Sequence, residues 1–224
     1  MTDRSLDGPS VWRLDTFFVP PGALGSRAVV LDGAEAHHAV HVVRAVPGDV
    51  VRLIDGEGSE AIGRIDRVDA SNAWLSVLEA REHRRGEGVE LALIQALLKG
   101  KGFSEVVRRS TELGVAALVP VTTERTLGRV RKGSEGERAA RWRAVARSAL
   151  KQCRGVYLPR IEPVRPRLIA LVVGPEGGLS PAEVRDLRAA GTEPVSIGRR
   201  VLRADWAGPA AAAMVASAVG GLLP

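Results

Sequence analysis

A single stretch decides the class of fold: Leu171-Val-Val-Gly-Pro-Glu-Gly-Gly-Leu-Ser-Pro-Ala-Glu-Val184. It begins as a run of apolar residues, as a buried parallel strand requires. It then passes through the turn Gly174–Gly178, where glycines bring the backbone close to a ligand. Ser180, Pro181 and Glu183 together form a helix-start signal. Open α/β sheets bind ligands at the carboxyl ends of their strands, so this stretch predicts a ligand site.

A second glycine turn follows in Ile197-Gly-Arg-Arg-Val-Leu-Arg203. Neither turn matches the dinucleotide fingerprint or the phosphate loop. The turns therefore do not indicate either of the two ligand classes that those motifs bind. The alternatives are a capped bend for the first turn and a solvated loop for Arg199 and Arg200. The Glu176 carboxylate disfavours a plain bend, because an unneeded charge at a turn expected to be buried would be costly.

The C-terminal part alternates strands and helices, which predicts an α/β domain with a mainly parallel sheet. Gly114 stands where a left-handed helix cap is expected. The predicted strands are 89–97, 115–121, 168–173 and 194–197, and the predicted helices are 103–113, 135–154 and 205–219.

The N-terminal part is β-rich and predicts a small barrel with one helix. A charged, glycine-containing linker is expected at 81–88. The predicted strands are 16–19, 28–31, 49–54, 59–68 and 73–78, and the predicted helix is 35–46.

Positive charge is concentrated in the second half of the chain. Residues 1–88 hold 10 basic and 14 acidic side chains, whereas residues 99–167 hold 17 basic and 6 acidic ones. Such a basic stretch usually marks a polyanion partner, most often nucleic acid. Arginine makes up 28 of the 32 basic residues, and its planar fork suits phosphate. Codon bias could explain the ratio of arginine to lysine but not its uneven distribution.

Other features narrow the class of protein. No run of 18 apolar residues is present, so no membrane helix is expected. The start of the chain lacks the apolar core of a signal peptide, and the single Cys153 predicts a reducing, cytoplasmic setting. His37 and His41 lie one helical turn apart, but no third ligand has suitable spacing, so no metal site is expected.

These turns resemble those of the knotted SPOUT-class methyltransferases, and more narrowly the ribosomal RNA small subunit methyltransferase E family. Further ordered matches extend the resemblance over roughly residues 16–219. They are His37-His38 with Val43-Arg44 and Gly48-Asp49, Gln95-Ala-Leu-Leu-Lys-Gly100, Ser110-Thr-Glu-Leu-Gly-Val115, Glu124-Arg-Thr126, Ala149-Leu-Lys-Gln-Cys-Arg154 and Leu158-Pro-Arg-Ile161.

The resemblance implies a PUA-like RNA-binding barrel with a short N-terminal extension in residues 1–85. It implies a SPOUT α/β domain with a trefoil knot in residues 86–224, and a homodimer. The implied reaction is transfer of a methyl group from S-adenosylmethionine to N3 of uridine 1498 in 16S rRNA, within the small ribosomal subunit.

Candidate site residues follow from the two turns and the basic stretch. The candidate catalytic residues are Arg203, Glu176 and Asp205, with the proton acceptor left open between the two carboxylates. The candidate cofactor-binding residues are Gly174, Pro175, Glu176, Gly177, Gly178, Ser196, Ile197, Gly198, Val201, Leu202 and Arg203. The candidate RNA-binding residues are Arg44, Lys99, Lys101, Arg108, Arg109, Arg125 and Arg129.

Two departures from the family pattern stand out. Asp205-Trp206 replaces a longer carboxylate and a small residue. In addition, the family has a helix and a strand before the first turn, where this chain has only 162–167. A parallel crossover needs about a dozen residues or more. Either the sheet lacks one unit or a segment is omitted at this point; omission is favoured, because the missing strand forms one wall of the cofactor site.

Two other functions remain open. A ribose 2′-O methyltransferase of the same knotted class is disfavoured, because those enzymes resemble Leu-Asn-Val-Ser where this chain has Val201-Leu-Arg203. The other alternative is a non-catalytic RNA-binding assembly factor. Asp205-Trp206 and the short connection favour this alternative.

Overall fold

The computed structural model describes residues 13–83, 90–126, 135–161, 168–198 and 201–218. The described residues divide into two compact units. One unit contains the residues up to 83 together with Leu150–Tyr157, and the other contains those from 90 to 149 and from 158 onward. None of the described helices is both long and apolar enough to cross a bilayer. The expected linker over 81–88 is described only in part. Outside the described residues lie the connection 162–167 and three arginines, namely Arg129, Arg199 and Arg200.

The first unit is built on a five-stranded sheet in the order β1-β3-β4-β5-β2. β1 is parallel to β3, and all other pairs are antiparallel. β1 and β2 form the two edges of this sheet, so it does not close into a barrel. The sequence predicted a barrel, whereas the structure has a curled half-barrel. The strands are β1 (Thr16–Phe18), β2 (Ala28–Leu31), β3 (Val50–Ile54), β4 (Ser59–Val68) and β5 (Ala73–Glu82).

The helix of this unit differs from the expected single α-helix over 35–46. An α-helix, α1 (Gly33–His37), continues as a π-helix over His38–Val43 and ends at Arg44 in the left-handed conformation. Three β-branched valines fall in the second part, and such residues have low helix propensity. π-helical turns are rare in proteins and are frequently found at functional sites.

A buried ion pair crosses the sheet of the first unit. Arg52 on β3 is 2% exposed, and its Nε donates to Glu60 Oε2 on β4 at 2.8 Å. The other oxygen of Glu60 lies 2.6 Å from His83 Nε2. Two buried charges are tolerated in this sheet because each has its partner within hydrogen-bonding distance.

The second unit contains a parallel sheet that, among the described residues, has three strands in the order β7-β6-β8. Its core brings the sheet together with helices through Leu93, Val106, Leu118, Trp142 and Ala212. The strands are β6 (Glu90–Ala96), β7 (Ala117–Val121) and β8 (Leu168–Val173). The helices are α2 (Gly102–Glu112), α3 (Glu135–Cys153), α4 (Pro181–Ala189) and α5 (Ala204–Ala218).

The predicted strand 194–197 is wrong. These residues have no regular structure, and most of them are exposed. A strand needs a neighbour to accept its backbone donors, and in the sheet that the structure describes the neighbour of β8 is β6. Pro194 also lacks an N–H group, so a run this short could form few ladder bonds.

Candidate active site

Three loops meet at one edge of the parallel sheet. The loops follow β6, β7 and β8, and the carboxyl ends of parallel strands lie at the same edge. They cover 97–101, 122–126 and 174–179. This is the edge at which open α/β sheets hold their ligands.

The turn after β8 has a close-packed backbone. Gly178 has φ +72°, and its N–H donates to Pro175 O at 2.9 Å. A β-carbon on Gly174 would lie 2.9 Å from the carbonyl carbon of Gly178 and 3.0 Å from the nitrogen of Leu179. Both atoms belong to the backbone, so a side chain at Gly174 would force the turn to move. The turn therefore requires glycine at Gly174 for space and at Gly178 for conformation.

A buried amide holds the start of this turn. Gln95 on β6 has no exposed surface, and its Nε2 donates to Gly174 O at 3.2 Å and Val173 O at 3.4 Å. The Oε1 atom would lie 2.6 Å from a β-carbon on Gly208, so Gln95 also sits against α5. None of the sequence motifs predicts this role for Gln95, although its position as the polar residue in the apolar run 91–98 could have indicated it.

The loops after β6 and β7 hold the middle of the turn. The Lys99 backbone N–H donates to Glu176 Oε1 at 3.3 Å, and Arg125 Nη1 donates to Gly177 O at 2.9 Å. The Glu176 side chain belongs to an exposed residue, so the expectation of a buried charge is wrong. Each of the three loops thus contributes to one rigid turn.

The helix after the turn is capped as predicted. Ser180 Oγ accepts from Glu183 N, and Glu183 Oε2 accepts from Ser180 N, which completes a capping box. Glu183 Oε1 also accepts from the Glu124 N–H at 2.7 Å. The Ser180 hydrogen bond first, and then the one from Glu124, hold the pKa of the Glu183 carboxyl below its ordinary range. This one side chain therefore ties the loop after β7 to the start of α4.

The second glycine turn is described up to Gly198 and again from Val201. Gly198 has φ +154°, and Ser196 Oγ is within hydrogen-bonding distance of Gly198 O at 3.1 Å. Val201 is fully exposed, and Leu202 is 41% exposed. Arg203 and Asp205 follow at the start of α5, with Arg203 Nε 3.6 Å from Asp205 Oδ1.

The candidate RNA-binding residues fall into two groups. Arg108 is ion-paired with Glu105 and Glu112, and Arg109 is paired with Asp205 at 3.0 Å. The others that the structure describes are exposed, namely Arg44 in the first unit and Lys99, Lys101 and Arg125 in the second. In this second group Arg125 also donates to Gly177 O.

The histidine pair of the first unit is packed ring against ring. The centroids of His37 and His41 are 4.8 Å apart, and the His38 ring lies 5.5 Å from that of Phe17. In the part of the chain that the structure describes, no group of three metal-ligating side chains comes together.

Family models match both parts of the chain. The RNA methyltransferase domain matches residues 85–168 and 164–216, and the RNA methyltransferase PUA domain matches residues 31–78. The first match comes in two segments that meet at the short connection 162–167.

Curated relatives and solved structures agree with these models. The chain is 30% identical to ribosomal RNA small subunit methyltransferase E of Synechocystis sp., over 88% of this chain and 75% of that protein. It is also 30% identical to the Mycobacterium bovis protein of the same name, over 85% of each. A methyltransferase from Legionella pneumophila with bound S-adenosylmethionine has a TM-score of 0.83 and 26% identity, covering 92% of this chain and 98% of that one.

A second solved structure carries the same name as the curated relatives. It is ribosomal RNA small subunit methyltransferase E from Neisseria gonorrhoeae, bound to S-adenosyl methionine. Its TM-score is 0.82 at 25% identity, with 92% of this chain and 98% of that one covered. The fold, the two matched domains and the relatives agree, and the chain belongs to the ribosomal RNA small subunit methyltransferase E family of RNA methyltransferases.

Proposed function

We propose that this protein transfers a methyl group from S-adenosylmethionine to N3 of a uridine in 16S rRNA, at the family position uridine 1498. The observation that carries the proposal is the turn Gly174–Gly178, held by three loops at the carboxyl edge of a parallel sheet. Family membership and the two solved relatives with bound S-adenosylmethionine support the same cofactor.

The residues of the site fit this cofactor. A β-carbon on Gly178 or Gly198 would meet no atom within 4 Å, so both glycines leave open space for a ligand. The turns offer neutral backbone groups, and Val201 and Leu202 offer exposed apolar surface, which suits an adenosine. The Glu176 carboxylate suits a cationic sulfonium. We assign cofactor binding to Gly174–Gly178 and Ser196–Leu202, together with Arg203.

The chemistry requires a methyl donor, a deprotonated N3 and a stabilised uracil. When bound, S-adenosylmethionine supplies an electrophilic methyl group on its sulfonium sulfur. The uridine N3–H loses its proton to a carboxylate, for which Glu176 and Asp205 are the candidates. Arg203, whose side chain is 86% exposed, donates hydrogen bonds to the uracil oxygens that gain charge. S-adenosylmethionine held by the two turns would then supply the methyl group: the bond from N3 to the methyl carbon would form as the methyl–sulfur bond breaks, with S-adenosylhomocysteine as the leaving group.

RNA binding is assigned to exposed basic residues. N3 lies on the Watson–Crick edge, so the target base must be unpaired or flipped out of its stack. In the second unit Lys99, Lys101 and Arg125 contact the RNA backbone, and in the first unit Arg44 does so. Arg108 and Arg109 already have acidic partners and contribute less. Binding through phosphates weakens steeply as salt rises.

We infer the domain organisation and the oligomeric state from the family. Residues 1–85 form the RNA-binding PUA-like part, and residues 86–224 form the methyltransferase part with a trefoil knot. A homodimer would cover apolar side chains that are exposed in the second unit. These side chains are Val195, Val201, Trp206 and Met214.

A methyl-transfer assay tests the proposal. Purified protein is mixed with small ribosomal subunits and labelled S-adenosylmethionine, and the modified nucleoside is identified by mass spectrometry. We expect 3-methyluridine, and loss of activity in Arg203→Ala. A 2′-O-methylated nucleoside would replace the proposal with the ribose methyltransferase. Absence of cofactor binding in calorimetry would favour a non-catalytic assembly factor.

A further inference from the structure

Arg109 on α2 contacts the first turn of α5. Its Nη1 donates to Asp205 O at 2.8 Å and to Asp205 Oδ2 at 3.0 Å. Its guanidinium carbon lies 4.5 Å from the centroid of the Trp206 ring, in a cation–π contact. The Arg109 side chain is 17% exposed. One arginine thus contacts both Asp205 and Trp206 at the start of α5.

Asp205 lies between two arginines. Its Oδ2 faces Arg109, while its Oδ1 lies 3.6 Å from Arg203 Nε. The carboxylate is 15% exposed, whereas the Arg203 side chain is 86% exposed. Both oxygens of Asp205 thus face guanidinium groups. Glu176 belongs instead to an exposed residue, and its Oε1 accepts a hydrogen bond from the Lys99 backbone N–H at 3.3 Å.

We propose that Asp205 is a positioning residue that orients Arg203, and that Arg109 and Trp206 fix Asp205 in place. The inference rests on the proposed function, because Arg203 is the residue assigned to the uracil oxygens. A long, exposed arginine loses side-chain entropy when it engages a substrate. A fixed carboxylate at its Nε reduces that loss before the RNA arrives. Glu176 is then the proton acceptor.

The first test measures the order of the Arg203 side chain directly, without turnover. In the full-length protein, ¹⁵N relaxation of the Arg203 Nε–H group is compared in wild type, Asp205→Ala and Arg109→Met. The Nε–H signal of Arg203 is assigned as the one that is absent from the spectrum of Arg203→Lys. We expect a clear rise in mobility in both test variants. Arg108→Met is the matched control, because it removes a neighbouring ion-paired arginine of α2 and should leave Arg203 unchanged. Equal mobility in wild type and Asp205→Ala would overturn the inference.

The second test uses turnover of small ribosomal subunits. Removing a general base lowers kcat by roughly 10²–10⁴-fold, whereas Asp205→Asn keeps an oxygen for Arg109 and is expected to lower kcat by less than about tenfold. Arg109→Met should lower kcat in wild type and add little in an Asp205→Ala background, because residues that act through one another are not additive. A loss of about 10²-fold or more in Asp205→Asn, together with loss of a limb of the pH profile, would instead make Asp205 the base.

The two tests separate the inference from the function on which it rests. A wild-type protein that binds no S-adenosylmethionine and transfers no methyl group would refute the proposed function. The relaxation measurement would still decide whether Asp205 orders Arg203. Thermal unfolding of each variant, with Arg109→Lys as a milder change, identifies losses that come from misfolding alone.

Discussion

Substitution of Gly174 by alanine tests whether the backbone of the turn binds the cofactor. The new β-carbon would lie 2.9 Å and 3.0 Å from two backbone atoms of Gly178 and Leu179. Unstrained contacts between carbon atoms begin at about 3.5 Å. The turn must therefore move by about half an ångström or more, and no flexible side chain is available to yield instead.

Two losses should follow from this displacement. Overpacking of this kind costs about 1–3 kcal/mol of stability. Misplacement of a binding group by about 1 Å can cost about 100-fold in function, so we expect S-adenosylmethionine to bind roughly 10- to 100-fold more weakly. Calorimetric titration gives the affinity, and thermal unfolding gives the stability.

Gly136→Ala is the matched control. Gly136 lies in α3, and a β-carbon there would meet no atom within 4 Å. Alanine is the better helix former by up to about 1 kcal/mol, so this variant should be at least as stable as wild type and bind the cofactor normally. A folded Gly174→Ala protein with wild-type affinity would refute the assignment of the turn.

Three further changes test other contacts. Gln95→Met keeps the side-chain volume but leaves buried carbonyl groups without a donor, so we expect a loss of about 1–3 kcal/mol in chemical denaturation and weaker cofactor binding; unchanged stability would count against this role. Because the pKa of Glu183 is lowered in the folded state, its stabilising contribution is present at neutral pH and is lost as the pH falls below the ordinary value of 4.5 and through the lowered pKa. Glu183→Gln should therefore be less stable than wild type at pH 7, with a difference in melting temperature that shrinks in acid; a constant difference would contradict the linkage. Glu60→Gln leaves Arg52 buried beside a neutral partner and should cost about 3–5 kcal/mol in denaturant unfolding, whereas Asp66→Asn, in an exposed pair, should change the stability little.

Local signals in the sequence predicted local structure well. The apolar run of β8, the cap at Ser180 and the left-handed Gly114 were all predicted and are confirmed. Each depends on a few neighbouring residues, so sequence spacing is sufficient to identify it. The matched pattern of glycine turns also led to the family, which the comparisons confirm.

Features that depend on distant partners were not predictable in the same way. The strand over 194–197 failed because a strand exists only beside a neighbour, which a local pattern does not specify. Arg109 was assigned to RNA from its charge, yet its partner Asp205 is 96 residues away. Gln95 reaches Gly174 over 79 residues. Such roles arise from tertiary contacts, and one sequence alone does not reveal them.

The order of the strands in the sheet also bears on how the protein is made. β6 is the central strand, yet its partner β8 leaves the ribosome some 78 residues later, as the separation of Gln95 and Val173 shows. Contacts of such long range form slowly, and domains fold as units during synthesis. A nascent chain therefore contains the basic residues of α2 and α3 before it contains β8 and the turn that follows it.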